Sequence, residues 1–225
     1  MLKDRIDAGL LQRFEAGLDP LNPHLSKISA KIIGYGEMST IFVINHPEQE
    51  NIAYKRMPIF RSPDEMETYE HLFEEYNTGL RNIGINVPES ASAWVIPDKG
   101  NSVIYNAQER LPSASIGNAL IQKLDENSVR LLFLCVLREL KKVFTSNRAR
   151  PSLTFGIDGQ ISNWAMKDYQ EGKPVTEETE LFYIDTGTPL IRKDNWLRRD
   201  EHNIRHQPSR TGKYCLQAHA DLPVT

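Results

Sequence analysis

Several features that mark specialised proteins are scarce or absent in this 225-residue chain. It has two cysteines, Cys135 and Cys215, with no CxxC pair, which excludes a disulfide framework and fits a reducing cytosol. Cys135 sits in an apolar run, where a free thiol acts as a small hydrophobe. That run, Leu131 to Leu137, is the strongest in the chain and has seven residues, against about 20 for a membrane span. The start, Met1-Leu2-Lys3-Asp4-Arg5, mixes charges and lacks the apolar stretch of a signal peptide. A soluble, cytoplasmic protein with no membrane partner is predicted. Positive charge is not in excess: 27 Lys and Arg face 30 Asp and Glu, a net charge of -3, which argues against nucleic acid as a partner. Trp94, Trp164 and Trp196 are scattered and form no stacking ladder. There is no GxSxG for an esterase elbow. His202 and His206 have an i, i+4 spacing but lack the glutamate of HExxH, so zinc is not predicted.

What is present is an ordinary globular composition, 40% apolar and 25% charged, at a length ample for a core. Residues 3–17 carry Ile6, Leu10, Leu11 and Phe14 at helical spacing, and Asp19-Pro20 breaks the pattern. Residues 31–44 read as a hairpin around Gly34-Tyr35-Gly36-Glu37-Met38-Ser39, and 52–57 as a third strand. A helix over 64–82 follows from Met66, Tyr69, Phe73, Tyr76 and Leu80, and strands over 93–96 and 102–108 flank the turn Pro97-Asp98-Lys99-Gly100. The second part is richer in helix, with a short one at 116–124. A longer one at 128–145 is apolar almost all round, a pattern that predicts burial. The loop over 167–180, with Glu171, Glu177, Glu178 and Glu180, reads as solvated.

Within this frame some residues carry chemistry. The glycine turn at Gly34 and Gly36 lets backbone amides approach a phosphate, although an ordinary hairpin also accounts for it. Lys55 lies in a β-like, partly buried segment and needs an anionic partner; Glu70, Glu74 and Glu75 on the next helix are candidates. Asp158 and Asn163 have the spacing of a loop in which an aspartate accepts a hydroxyl proton and an asparagine binds magnesium. Asp185, ending an apolar strand before Thr186-Gly187, suits a carboxylate that chelates magnesium on phosphates. An aspartic protease would need a second such motif, and the chain has one.

The order of these elements resembles the protein-kinase-like superfamily, nearest to its small-molecule branch, the aminoglycoside-phosphotransferase type. The resemblance covers roughly residues 18–192. It rests on Gly34-Tyr35-Gly36-Glu37, Ala53-Tyr54-Lys55-Arg56-Met57, Gln108-Glu109-Arg110-Leu111-Pro112 and Gly156-Ile157-Asp158-Gly159-Gln160-Ile161-Ser162-Asn163-Trp164. It implies an α+β, two-lobed fold: a helix at 1–17, an antiparallel-sheet N-lobe at 18–108, a linker at 109–113, a partial, helical C-lobe at 114–192 and a poorly ordered tail at 193–225. It implies that Gly34 and Gly36 shape a phosphate loop and that Lys55 contacts phosphates and pairs with Glu75. Backbone between Glu109 and Leu111 would receive adenine. Asp158 would be the catalytic base, and Asn163 and Asp185 would hold Mg2+. The implied ligands are ATP and a small-molecule or, with less support, a protein acceptor.

Two departures favour the other reading, a pseudokinase-like binding module. Gly156 stands where the superfamily has a His or Tyr that braces the catalytic loop. Only forty residues follow Asp185, and 192–225 holds ten apolar residues in thirty-four. A shortened C-lobe is therefore expected, with the tail poorly packed and 128–145 partly uncovered.

Overall fold

The structure is a computed structural model and describes residues 1–36, 39–97 and 102–193. The predicted helix over 3–17 is interrupted: a 3-10 turn over Leu2–Arg5 precedes α1 (Ala8–Ala16). Asp7 causes the break, because its carboxylate caps the Leu10 amide and starts a fresh helix there. Next come β1 (Ala30–Gly36), β2 (Ser39–Ile44) and β3 (Ile52–Phe60), the last running past Pro58. Ser62 caps α2 (Pro63–Asn82) by accepting from the Glu65 amide, with proline at the first helical position, where its missing N–H costs nothing. Strands β4 (Ser90–Val95) and β5 (Ser102–Glu109) complete a five-stranded antiparallel sheet of order β1-β2-β3-β5-β4.

The period of two along each strand separates the two sides of this sheet. Ile52 and Tyr54 of β3 and Val103, Tyr105 and Ala107 of β5 face α1, where Leu10, Leu11 and Phe14 close a core. The intervening positions, Met57 and Ile104, pack with Met66 and Tyr69 of α2 on the other side. Lys55 and Asn106, paired across the two strands, share that second side.

The remainder is built from α3 (Gly117–Leu120), α4 (Glu126–Ala149) and two small antiparallel pairs. One pair joins β6 (Leu153–Phe155) to β9 (Ile191–Lys193), the other β7 (Trp164–Met166) to β8 (Leu181–Tyr183). Tyr76 and Leu80 of α2 join Leu132, Val136, Trp164 and Tyr183 in one core, so α2 is shared between the sheet and the helical part. The architecture is mixed α+β. Lys193, assigned from sequence to a loose tail, ends β9, because β6 supplies it with a pairing partner. The rest of the predicted tail, with Trp196, His202, His206 and Cys215, and the turn residues Glu37, Met38, Asp98, Lys99 and Gly100, lie outside the described residues.

The apolar pattern over 128–145 does not bury the helix all round. Helix α4 is buried on one side, through Leu132, Cys135, Val136 and Val143, while Phe133, Leu134, Leu137 and Phe144 are 41–59% exposed, the partial uncovering expected for this stretch. A large apolar side chain left half in water forgoes about half of the roughly 1.5–3 kcal/mol that full burial gives, and no described residue covers this face. The acidic loop is not merely solvated: Val175 is buried in the core, and the carbonyls of Glu177 and Thr179 accept hydrogen bonds from the Arg138 guanidinium. Cys135 is buried as expected, which raises its thiol pKa, and its thiol donates to the Thr176 carbonyl. Among the described residues, no helix is long and apolar enough to cross a membrane.

Candidate functional site

Lys55 reaches across 130 positions to Asp185, with Nζ 3.0 Å from Oδ1. The lysine side chain is 18% exposed and the carboxylate 33%. A pair this open contributes about 0–1 kcal/mol, too little to hold the segment in place. Hydrogen bonds to its backbone do that. Gln108 Nε2 donates to the Ile184 carbonyl at 3.3 Å, and the Tyr69 hydroxyl donates to the Gly187 carbonyl at 2.8 Å. Asn106 Nδ2 in turn donates to the Tyr69 hydroxyl and contacts Met57 Sδ at 3.4 Å. Asn106 Oδ1 is buried with no partner among the described residues. Burial, followed by the Asp185 charge, pushes the Tyr69 hydroxyl pKa up, so it stays protonated as a donor. Gly187 allows the close approach: a Cβ there would lie 2.8 Å from Lys55 Cδ.

The predicted Lys55–Glu75 pair does not form. Glu75 instead meets Lys193 of β9, with Oε1 2.7 Å from Nζ, and Glu70 accepts from the Ser92 hydroxyl at 2.5 Å. The phase of α2 explains this. The side turned inward carries Met66, Tyr69, Phe73, Tyr76 and Leu80, and Glu75 sits about 100° around the helix from Tyr76. Tyr69 occupies the position beside the lysine row.

Asp158 lies in the loop after β6. Its Oδ1 accepts from the Gln160 amide at 2.9 Å, and its own amide donates to the Tyr183 hydroxyl at 3.3 Å. The Tyr76 hydroxyl donates to the Gly156 carbonyl at 2.8 Å. The missing side chain at Gly156 therefore does not leave the loop unbraced: two tyrosines from outside hold it. A Cβ at Gly156 would lie 2.8 Å from Leu190 Cβ, so Leu190 fills the space a side chain would need. The Tyr76 and Tyr183 hydroxyl pKa values are both raised, chiefly by burial and further by the charges of Asp185 and Asp158. Both carboxylates thus act on one tyrosine pair.

Asn163 is tied to the same place through its backbone, since its carbonyl accepts from the Ile184 amide at 2.9 Å. Its side chain is half-buried and makes no hydrogen bond among the described residues. There is no group of three or more His, Cys, Asp or Glu placed to hold a metal ion among those residues. Asp185 and Asn163 offer a sparse donor set. Sparse sets suit magnesium, which usually keeps waters and substrate phosphates alongside one or two carboxylates.

A family profile matches residues 26–204, more than half the chain and all nine of the described strands. The chain belongs to the family of unknown function DUF6206. No curated protein matches it. Among the described residues, the DUF6206 match contains Lys55, Asp158, Asn163 and Asp185 and leaves α1 outside.

Elsewhere in this DUF6206 chain the expected residues are more loosely gathered. Gly34 lies in β1, where a Cβ would make ordinary contact with Ile41 at 3.5 Å, so packing does not demand glycine. Gly36 ends the same strand, beside undescribed Glu37 and Met38. In the segment expected to receive adenine, the amides of Glu109 and Arg110 already donate to the carbonyls of Glu89 and Asn51. Leu111 keeps its amide without such a bond among the described residues. Cavities of about 410 and 560 Å3 lie beside β1 and between α2 and α4, and neither is lined by Lys55, Asp158 or Asp185. Reasoning from sequence missed Tyr69, Asn106, Gln108, Tyr76 and Tyr183. Asn106 and Gln108 left a trace: amides at alternate positions of an otherwise apolar strand, on one face.

Proposed function

We propose that the chain is a kinase-like protein that binds Mg2+-ATP and transfers a phosphoryl group to a small-molecule hydroxyl. The observation that supports it is the 3.0 Å contact of Lys55 with Asp185. A strand lysine beside a strand-ending aspartate is the arrangement that cradles nucleotide phosphates. In this reading residues 18–108 act as the N-lobe, 109–113 as the linker and 114–192 as a partial C-lobe. Residues 1–17 pack as an N-terminal helical segment, and Lys193 closes β9 at the end of the partial C-lobe.

Lys55 offsets charge on the phosphate oxygens, and its ammonium can keep one hydrogen bond to Asp185 while others turn to the nucleotide. Asp158 orients the acceptor hydroxyl and takes its proton. The acceptor oxygen bonds to the γ-phosphorus as the bond to the β,γ-bridging oxygen breaks, and ADP leaves with that electron pair. Asp185 and Asn163 would hold the magnesium ion, which supplies further charge neutralisation when bound. Leu111, with its amide uncommitted, is the linker residue best suited to the adenine edge.

A second reading is a pseudokinase-like module that binds nucleotide or a partner without turnover. It is favoured by the loss of Glu75 to Lys193, which leaves Lys55 with no glutamate partner among the described residues. Thermal stabilisation by Mg2+-ATP separates the readings from a third outcome. The wild type should shift upward, with the shift abolished in Lys55→Ala and Asp185→Asn. Absence of a shift in the wild type ends both nucleotide readings. Binding without ATP turnover against a panel of metabolite hydroxyls selects the module.

A further inference from the structure

The outer face of α4 has no role in the site above. Taking Leu137 as the centre line, Phe133 and Phe144 fall within about 40° of it at 100° per residue. Leu137, Phe133 and Phe144 are 58%, 44% and 59% exposed. Four exposed charges continue the same stripe: Glu126 and Arg130 toward the N-terminus, Lys141 and Arg148 toward the C-terminus. None of the four has an ion-pair partner among the described residues. We propose that this face is the interface of a homodimer, in which α4 packs antiparallel against α4 of a second copy across a two-fold axis at Leu137.

The order of residues along the stripe carries the proposal. In an antiparallel pair centred on Leu137, opposed residues have numbers summing to 274, so Leu137 meets the partner's Leu137. Glu126 then faces the partner's Arg148, an opposite-charge pair made twice by symmetry. Arg130 faces the partner's Phe144 and Lys141 the partner's Phe133, placing each cation against an aromatic ring. Every pairing in this register is favourable. A parallel pair would set Glu126, Arg130, Lys141 and Arg148 each against its own copy, and all four contacts would repel. The helix dipoles also favour the antiparallel arrangement. A self-complementary patch of this kind is what a two-fold interface requires. One helix face is smaller than a standard interface, so the dimer should be reversible, with dissociation in the micromolar range.

Analytical ultracentrifugation of the full chain from about 1 to 200 μM tests this. The wild type should show a concentration-dependent monomer–dimer equilibrium. Leu137→Glu, which opposes two carboxylates on the axis, should raise the dissociation constant about 100-fold or more. Glu126→Arg and Arg148→Glu alone should each weaken the dimer about 10-fold, and the double exchange should restore it toward wild type. A wild type that is monomeric across the range overturns the proposal, as does a dimer indifferent to Leu137→Glu or a double exchange no better than either single. Melting the Leu137→Glu variant at the lowest concentration guards against misfolding. Unchanged melting relative to dilute wild type is expected. A large drop there would mean that residues 194–225 of the same chain cover the face, and would also overturn the dimer.

Discussion

Lys55 and Arg56 are neighbours on β3, point to opposite sides of the sheet and each find a carboxylate, yet the two pairs are built for different ends. Arg56 binds Glu15 of α1 through both Nε and Nη2, at 2.8 and 2.5 Å, and the Tyr105 hydroxyl donates to the same carboxylate. Those side chains are 17% and 9% exposed. Burial opposes ionising Glu15, but its bonds to Arg56 and Tyr105 outweigh that and hold its pKa below the usual range. Lys55 and Asp185 meet through one contact and are about a third exposed on the carboxylate side. The first pair is closed and saturated, and it fixes α1 to the sheet. The second keeps donor and acceptor capacity unspent, as the proposed binding role requires. Exposure and saturation, more than charge, separate the structural ion pair from the one proposed to bind.

Breaking each pair should sharpen that contrast. The largest effect is expected from Arg56→Ala, which leaves Glu15 buried without its cation and should cost about 3 kcal/mol in urea unfolding. Tyr69→Phe removes a buried donor from the Gly187 carbonyl and an acceptor from Asn106, for about 1–2 kcal/mol by the same measurement, with a weaker Mg2+-ATP shift. Lys55→Ala should change stability by less than about 1 kcal/mol while removing nucleotide stabilisation, the inverse of Arg56→Ala. The pH response should also divide them. Glu15 ionises more readily folded than unfolded, so its pair contributes fully above the ordinary value of 4.5. That contribution fades as pH falls through the lower folded value. Melting curves of wild type and Glu15→Gln should therefore converge as pH drops below 4.5 and stay apart at pH 7. The smallest effect is expected at Gly34→Ala, within about 0.5 kcal/mol in stability because the Cβ has room. If phosphates approach this strand, its Mg2+-ATP shift should still fall.

Local pattern made much of this readable from sequence. The hairpin at Gly34–Ser39 and the helix periodicity of Met66, Tyr69, Phe73, Tyr76 and Leu80 each follow from residues within a few positions. The association of Lys55 with the Asp185 region came from the order of motifs, since no spacing rule spans 130 residues. The failures have physical causes. Glu75 was the expected partner by motif, but helical phase turns Tyr69 inward and sends Glu75 to Lys193. Gly156 read as a missing brace because the braces, Tyr76 and Tyr183, arrive from elements 80 and 25 positions away. The apolar pattern of α4 pointed to burial all round, against the expectation that 128–145 is partly uncovered, because composition records how apolar a segment is and says nothing of what covers it.

The Ile184–Gly187 segment is held by its carbonyl oxygens, through Gln108 and Tyr69. Such a grip is blind to side-chain identity. The residue at 185 can change its chemistry while keeping its address, because the clamp reads only main chain. A change of side chain at Asp185 would remove its charge and leave the segment in place.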